Sequence, residues 1–202
     1  RYLNNLAGYL NELGKKDQAN TVYAHVLELD PNNAQASMAL VKENTHHSEA
    51  GDYLTSLLPV MNNMNIPLDN KIMELMPFIS RMDKNDASTP ALLRISELLI
   101  ELYPEEAKVY AVQGDVSFYA GKFTEAEKAY ARSISLNDRK YTLWDQWMLN
   151  LWELEQYEKL LTVSFDAVDL FPNQVNAYLM HALALSQLKK TDEALGFIAE
   201  VK

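Results

Sequence analysis

Apolar side chains recur at helical spacing along nearly the whole chain, and this pattern repeats at a longer interval. Three sets of positions are each separated by 34 residues: Tyr110, Trp144 and Tyr178; Ala126, Leu160 and Ala194; and Tyr130, Ser164 and Ile198. A fixed period of this length is typical of a helical solenoid, in which each unit is too small to bury its own apolar face. The pattern therefore predicts stacked helical hairpins.

Within one period the residues predict a helix, a tight turn and a second helix. Gly121 is placed to end the first helix, because glycine adopts the left-handed conformation at little cost. Thr124, with Glu127 three residues later, matches a capping box for the second helix. With only six glycines and seven prolines, the chain has too few turn residues for a β protein of this length.

The same internal spacing is present at the N-terminus and weakens in the middle. The N-terminal set is Leu3, Leu6, Ala7, Leu10, Gly14, Ala19, Tyr23 and Pro31. Pro59 is expected to interrupt a second helix, and Pro77 to kink or break a first helix. The stretch 83–89 lengthens the following turn. We interpret this region as two degenerate repeats; the alternative is an irregular junction that divides the solenoid.

These residues resemble the tetratricopeptide repeat, and the best match is Tyr110, Gly114, Gly121, Ala126 and Tyr130. The resemblance implies an all-α fold, a right-handed α-α superhelix (solenoid) of about six hairpins. It also suggests a bacterial protein. The expected arrangement is a single solenoid over residues 1–202. Its repeats are expected at residues 1–33, 34–67, 68–106, 107–140, 141–174 and 175–202.

Charge and composition narrow the classes of partner. The 202 residues carry a formal net charge of −10, which disfavours nucleic acid as a partner and favours solubility. No apolar run is long enough to cross a bilayer, so no membrane insertion by this segment is expected. The absence of cysteine removes disulfides and thiolate sites. A chain without cysteine is equally compatible with the cytoplasm and with the periplasm.

The two ends predict a longer protein or an association. The apolar pattern predicts that Arg1 lies within a helix rather than at its start. At the other end, no polar capping helix follows the last hairpin, which ends at Lys202. Uncapped ends leave apolar faces to be covered. We therefore expect the natural protein to continue, or the ends to self-associate.

The sequence offers few residues arranged for catalytic chemistry. Phosphate-binding glycine loops, the HExxH motif and EF-hand loops are all missing from the sequence. His46 and His47 with Glu49 offer metal ligands in principle, but adjacent helical side chains diverge by about 100° and no second ligand cluster accompanies them. His181 falls at a packing position and is interpreted as a core histidine. The sequence predicts no enzyme, no cofactor and no metal.

The resemblance implies that the first helix of each hairpin lines a concave groove. The candidates for binding a peptide there are Phe118, Tyr119, Leu149, Trp152, Lys108, Asp115, Lys42 and Asn11. Further inward positions are Asp145, Leu179, Leu183 and Gln187. For Phe118 and Trp152 the competing interpretation is packing between hairpins. Large aromatic side chains are the residues that dominate binding energy in interfaces.

The sequence thus favours a non-catalytic scaffold that binds a peptide or protein segment in the groove. Two alternatives stay open. One is a regulatory or substrate-recruiting arm of an enzyme whose catalytic domain lies outside these residues. The other is a self-assembling structural solenoid. The identity of the partner does not follow from the sequence, because repeat folds support many functions.

Overall fold

A computed structural model describes residues 2–31, 33–44, 50–82 and 87–200. Within these residues all regular structure is helical, as the sequence predicts. Contacts divide the chain into two compact units, Arg1–Leu102 and Tyr103–Lys202. The prediction of one continuous solenoid, and the repeat boundaries within it, stay predictions. None of the helices in the described residues is both long and apolar enough to span a bilayer.

The first unit contains seven helices in the residues that the structure describes. They are α1 (Tyr2–Glu12), α2 (Lys16–Leu29), α3 (Ala34–Asn44), α4 (Ala50–Ser56), α5 (Leu58–Asn62), α6 (Leu68–Ile79) and α7 (Thr89–Leu102). The hairpin of α1 and α2 packs around Ala7, Ala19 and Tyr23, all of them buried. The small side chains allow the two helices to approach closely, and the tyrosine ring fills the space beside them.

The two prolines of the first unit have different effects. Pro59 lies in the first turn of α5, directly after the break that separates α5 from α4, which confirms the predicted interruption. Pro77 does not break α6: the helix continues to Ile79. Pro77 lies in the last turn, so its missing amide removes a single backbone hydrogen bond and only two helical residues follow it. Most of the predicted long turn, residues 83–86, lies outside the described residues.

Over residues 103–200 the second unit contains three helical hairpins. Its helices are α8 (Ala107–Tyr119), α9 (Phe123–Leu136), α10 (Tyr141–Glu153), α11 (Tyr157–Leu170), α12 (Val175–Gln187) and α13 (Thr191–Glu200). Helix α9 packs against α8 and α10, and helix α11 packs against α10 and α12. The first helix α10 also contacts α8 and α12. The first helices therefore form one layer, with the second helices packed against it.

The period of the sequence corresponds to a repeated hydrogen bond. Tyr110, Trp144 and Tyr178 each donate to the carbonyl six residues before them, at Pro104, Asp138 and Pro172. The donor–acceptor distances are 3.0, 2.8 and 3.0 Å. A large side chain with a polar tip is needed at this place, because it must both cover the core and anchor the loop before its own helix.

The hairpin turns share one geometry. After α8 the amide of Lys122 donates to the Ser117 carbonyl at 2.8 Å, and the amide of Gly121 donates to the Phe118 carbonyl at 2.9 Å. This pair of bonds is the Schellman motif, which satisfies carbonyls at the end of a helix. Equivalent bonds occur where Gly14, Glu155 and Lys189 hold the left-handed position. Gly121 therefore ends the first helix, as predicted.

The predicted capping box at Thr124 is wrong. The structure begins α9 at Phe123 with Lys122 at the N-cap, and no side chain bonds to the free amides there. The amide of Ala126 donates to the Lys122 carbonyl at 3.0 Å. Because the Schellman turn delivers the chain into the helix at Lys122, Thr124 is already inside the first turn and cannot act as its cap.

Candidate functional site

The exposed side of the layer formed by α8, α10 and α12 is the candidate site, and we name it the first-helix face. Its residues recur at the period of the hairpins and lie one position after the packing residues of each helix. They are Asp115 and Tyr119 on α8, Asp145 and Leu149 on α10, and Leu179 and Leu183 on α12. Because α10 contacts both of its neighbours in this layer, these side chains belong to one surface.

One part of the first-helix face is apolar and open to solvent. Leu149 is 41% exposed and Leu179 is 49% exposed, whereas Leu183 is partly buried against the core of the second unit. Met148 and Met180, each next to one of these leucines in sequence, are buried in the core of the unit, so the leucines lie at the edge of the packed layer. Exposed leucines on two neighbouring helices offer apolar area to a partner.

The other part contains a partly buried carboxylate. Tyr130, on α9, donates a hydrogen bond of 2.8 Å from its hydroxyl to Asp115 Oδ1. Burial raises the pKa of Asp115 from 3.8 to about 6, and the hydrogen bond from Tyr130 lowers it in part. Burial also raises the pKa of Tyr130, and the nearby Asp115 raises it further. The pair therefore holds a carboxylate in surroundings that solvate its charge poorly.

Asp145 joins two of the first helices. Its Oδ1 accepts hydrogen bonds from the Tyr141 hydroxyl at 3.1 Å and from Asn176 Nδ2 at 2.5 Å. Asn176 lies in the first turn of α12, so the second bond links α10 to α12. Burial first, and then Asp145, raise the pKa of Tyr141 to about 12. The carboxylate is thus oriented on the surface by two neutral donors.

Acidic side chains outnumber basic ones on the first helices of this unit. Their charged residues are Lys108, Asp115, Asp145 and Glu153. Lys108 is exposed at the start of α8. The ion pairs found in the described part of this unit, such as Arg132 with Glu105, involve residues of the second helices and of loops. The first-helix face is therefore apolar and acidic.

Phe118 and Trp152 are placed in equivalent positions at the hairpin turns. Each ring meets the aromatic side chain that begins its own second helix, Phe123 and Tyr157 respectively, at 5.5 Å between centroids. Both are partly buried, and Trp152 packs against the core of the unit. These contacts favour a packing role within the hairpin. Tyr119 is partly buried and meets the Phe118 ring edge-on at 5.6 Å.

The remaining candidates fall within Arg1–Leu102, the first unit. Asn11 is exposed near the end of α1 in the first unit. The side chain of Lys42 lies outside the described residues, as do His46, His47 and Glu49. Within the described ranges no group of three or more histidine or acidic side chains is arranged to hold a metal ion.

His181 lies in the core, as predicted. It is 7% exposed, its Nδ1 is 3.0 Å from the Ser164 hydroxyl, and its ring lies 4.2 Å from that of Phe197. Burial lowers its pKa below the ordinary value, with an opposing contribution from a backbone hydrogen bond at Leu161. The imidazole is therefore a packing and hydrogen-bonding group between α11, α12 and α13.

Two residues that shape the face are not identified by the sequence pattern. The pattern assigns Tyr130 only to packing, although its hydroxyl donates to Asp115. The sequence does contain one sign of this role: a tyrosine stands where phenylalanine would satisfy packing alone. Asn176 lies in the first turn of α12 and carries no periodic signal. Its role depends on the neighbouring hairpin, which spacing along the chain does not reveal.

Comparison with family models matches one segment of the chain. Residues 1–33 match the family model described as tetratricopeptide repeat. A comparison with curated proteins gives no match.

Several solved structures are similar in fold. The MamA protein is 18% identical with a TM-score of 0.52, over 99% of this chain and 88% of that chain. YrrB, described as a TPR protein with an unusual peptide-binding site, is 14% identical with a TM-score of 0.51, over 98% and 82%. TTC0263, described as a thermophilic TPR protein of Thermus thermophilus, is 16% identical with a TM-score of 0.51, over 91% and 97%.

Proposed function

We propose that this chain, a tetratricopeptide-repeat protein, is a non-catalytic scaffold that binds a peptide or protein segment on the first-helix face of its second unit. The fold in general supports an interaction role. The finer assignment, to this face and to an extended segment of a partner, is ours. The observation that carries it is the exposure of Leu149 and Leu179, on adjacent helices, beside partly buried polar groups.

The physical reason lies in the free energy of burial. Covering apolar surface contributes about 25 cal/mol per Å², so a partner that covers both leucines gains on the order of 2–4 kcal/mol. The first helices are held by core packing and by the bond between Asp145 and Asn176, so little ordering of this surface is needed on binding. YrrB, similar in fold, is described as having a peptide-binding site, which supports a peptide as the ligand class.

A selection with random peptides displayed on phage tests the proposal. We expect the parent chain to enrich peptides, and Leu149→Ala/Leu179→Ala to bind the most enriched peptide about tenfold or more weakly. The matched control is Leu170→Ala/Leu195→Ala, which removes two exposed leucines from second helices. Equal losses in both double variants would contradict the assignment to this face, and so would a failure to enrich any peptide.

The leucines are better targets for this test than Trp152. Because its indole packs against Tyr157 and the core, Trp152→Ala removes a contact that stabilises the hairpin. A loss of binding in that variant would not separate a missing anchor from a distorted turn. Leu149 and Leu179 are 41% and 49% exposed, so their truncation should lower the free energy of unfolding less than the loss of the packed Trp152 ring does. Thermal unfolding followed by circular dichroism checks that condition.

A further inference from the structure

The surroundings of Asp115 specify part of the chemistry of the partner. Within the described residues, the one hydrogen bond to its carboxylate comes from the Tyr130 hydroxyl, a neutral donor. No lysine, arginine or histidine of the described residues forms an ion pair with it. A carboxylate that is removed from water and given no counter-charge is costly, and proteins normally supply a cation at such a place. Within the described residues the chain itself does not.

The rest of the first-helix face continues the same charge. Asp145 accepts two hydrogen bonds, both from neutral donors. The helices α10 and α12 contain no lysine or arginine, and Lys108 at the start of α8 is the single lysine or arginine of the first helices of this unit. A positively charged group arriving at this face therefore meets carboxylates without competing with a lysine or arginine of α10 or α12.

We propose that the bound segment carries a lysine or arginine that pairs with Asp115, next to apolar side chains that cover Leu149 and Leu179. This inference rests on the proposed function, since it specifies the ligand of the same face. The cation offsets the cost of holding the Asp115 carboxylate away from water, and Tyr130 keeps Oδ1 oriented for it. An acidic segment brings like charges together and is disfavoured at this face.

The same phage selection tests this inference through the composition of the recovered peptides. We expect lysine or arginine, flanked by apolar residues, to be enriched on the parent chain and this basic preference to disappear on Asp115→Asn. Asp166→Asn, which removes an equal charge from an exposed position on α11, is the matched control and should keep the preference. The amide introduced by Asp115→Asn retains an oxygen that accepts from Tyr130, so the hairpin stays intact.

Affinities of synthesised peptides give the quantitative test. The most enriched peptide should bind Asp115→Asn about tenfold more weakly than the parent, because a hydrogen bond between charged groups is lost. Changing its basic residue to glutamine should cause a similar loss on the parent and little further loss on Asp115→Asn. Independent, additive losses would overturn the pairing.

The outcomes separate this inference from the proposed function. Enriched peptides that are apolar but not basic, and that depend on Leu149 and Leu179, would overturn the pairing with Asp115 and keep the scaffold. Enrichment of acidic peptides would do the same. Failure to enrich any peptide would overturn both. A basic preference unchanged in Asp115→Asn would show that another carboxylate provides it, and would also overturn the inference.

Discussion

Gly114 on α8 lies directly against the aromatic ring of Tyr130 on α9. A Cβ atom added at Gly114 would fall 2.5 Å from Tyr130 Cε1, closer than Cβ atoms approach other side-chain carbons in folded proteins. The ring is fully buried, and its hydroxyl bonds to Asp115, the residue after the glycine. Because Gly114 has no side chain, the Tyr130 ring can pack against α8, and its hydroxyl can reach Asp115 on the first-helix face.

Gly114→Ala is expected to destabilise the chain by about 1–3 kcal/mol, because the ring of Tyr130 or the backbone of α8 must move. The ordinary effect of this change within a helix is the opposite, a gain of about 0.5–1 kcal/mol. Gly8→Ala supplies the control, since nothing lies within 4 Å of a Cβ at that helical glycine. Urea denaturation measures both. A stabilised Gly114→Ala would show that the contact is loose.

Asp115 should make the stability of the chain depend on pH in a defined direction. Its folded-state pKa, about 6, lies above the ordinary value of 3.8, so the folded chain binds the proton more tightly than the unfolded chain. The resulting stabilisation is present below about pH 4 and is lost as the pH rises through about 6. A difference of about two pKa units corresponds to roughly 3 kcal/mol as an upper value.

Asp115→Asn isolates this contribution, because the amide accepts from Tyr130 and does not titrate. The free energy of unfolding of the parent, minus that of the variant, is expected to fall as the pH rises from about 4 to about 7. Urea denaturation across that range measures it, and Asp166→Asn provides the baseline for an exposed aspartate. A difference that does not change with pH would mean that the carboxyl group titrates normally.

Most of the fold is predictable from the sequence because the packing residues themselves repeat. Tyr110, Trp144 and Tyr178 share a position in the hairpin and a loop-anchoring hydrogen bond, so one interval along the chain specifies three equivalent sites. Ala126 is likewise buried between the helices where its spacing places it. Periodic core positions can be predicted because each is fixed by contacts that every hairpin makes.

The candidate site is less predictable because its residues are not fixed by the period. Phe118 and Trp152 have the residue types of binding anchors, yet each is in contact with the first aromatic residue of its own second helix. Spacing alone does not distinguish an exposed aromatic from one that the next helix covers. The bond from Asn176 to Asp145 depends on how two hairpins meet, and no pattern within either helix encodes it.

Two hairpin turns keep the left-handed geometry without glycine. Glu155 has φ 55° and Lys189 has φ 60°, whereas Gly121, at the equivalent position of the first hairpin in this unit, has φ 73°. A residue with a Cβ in this conformation costs about 1 kcal/mol, a cost that glycine avoids.

Each of Glu155→Gly and Lys189→Gly should therefore stabilise the chain by about 0.5–1 kcal/mol, measured as a higher urea midpoint with an unchanged slope. Glu153→Gly, two residues before Glu155 and at the last residue of α10, is the control: glycine gains nothing at a helical position, so this change should lower the midpoint. An equal decrease of the urea midpoint in Glu155→Gly and Glu153→Gly would contradict this prediction. It would mean that contacts of the Glu155 side chain offset the free-energy cost of its left-handed backbone.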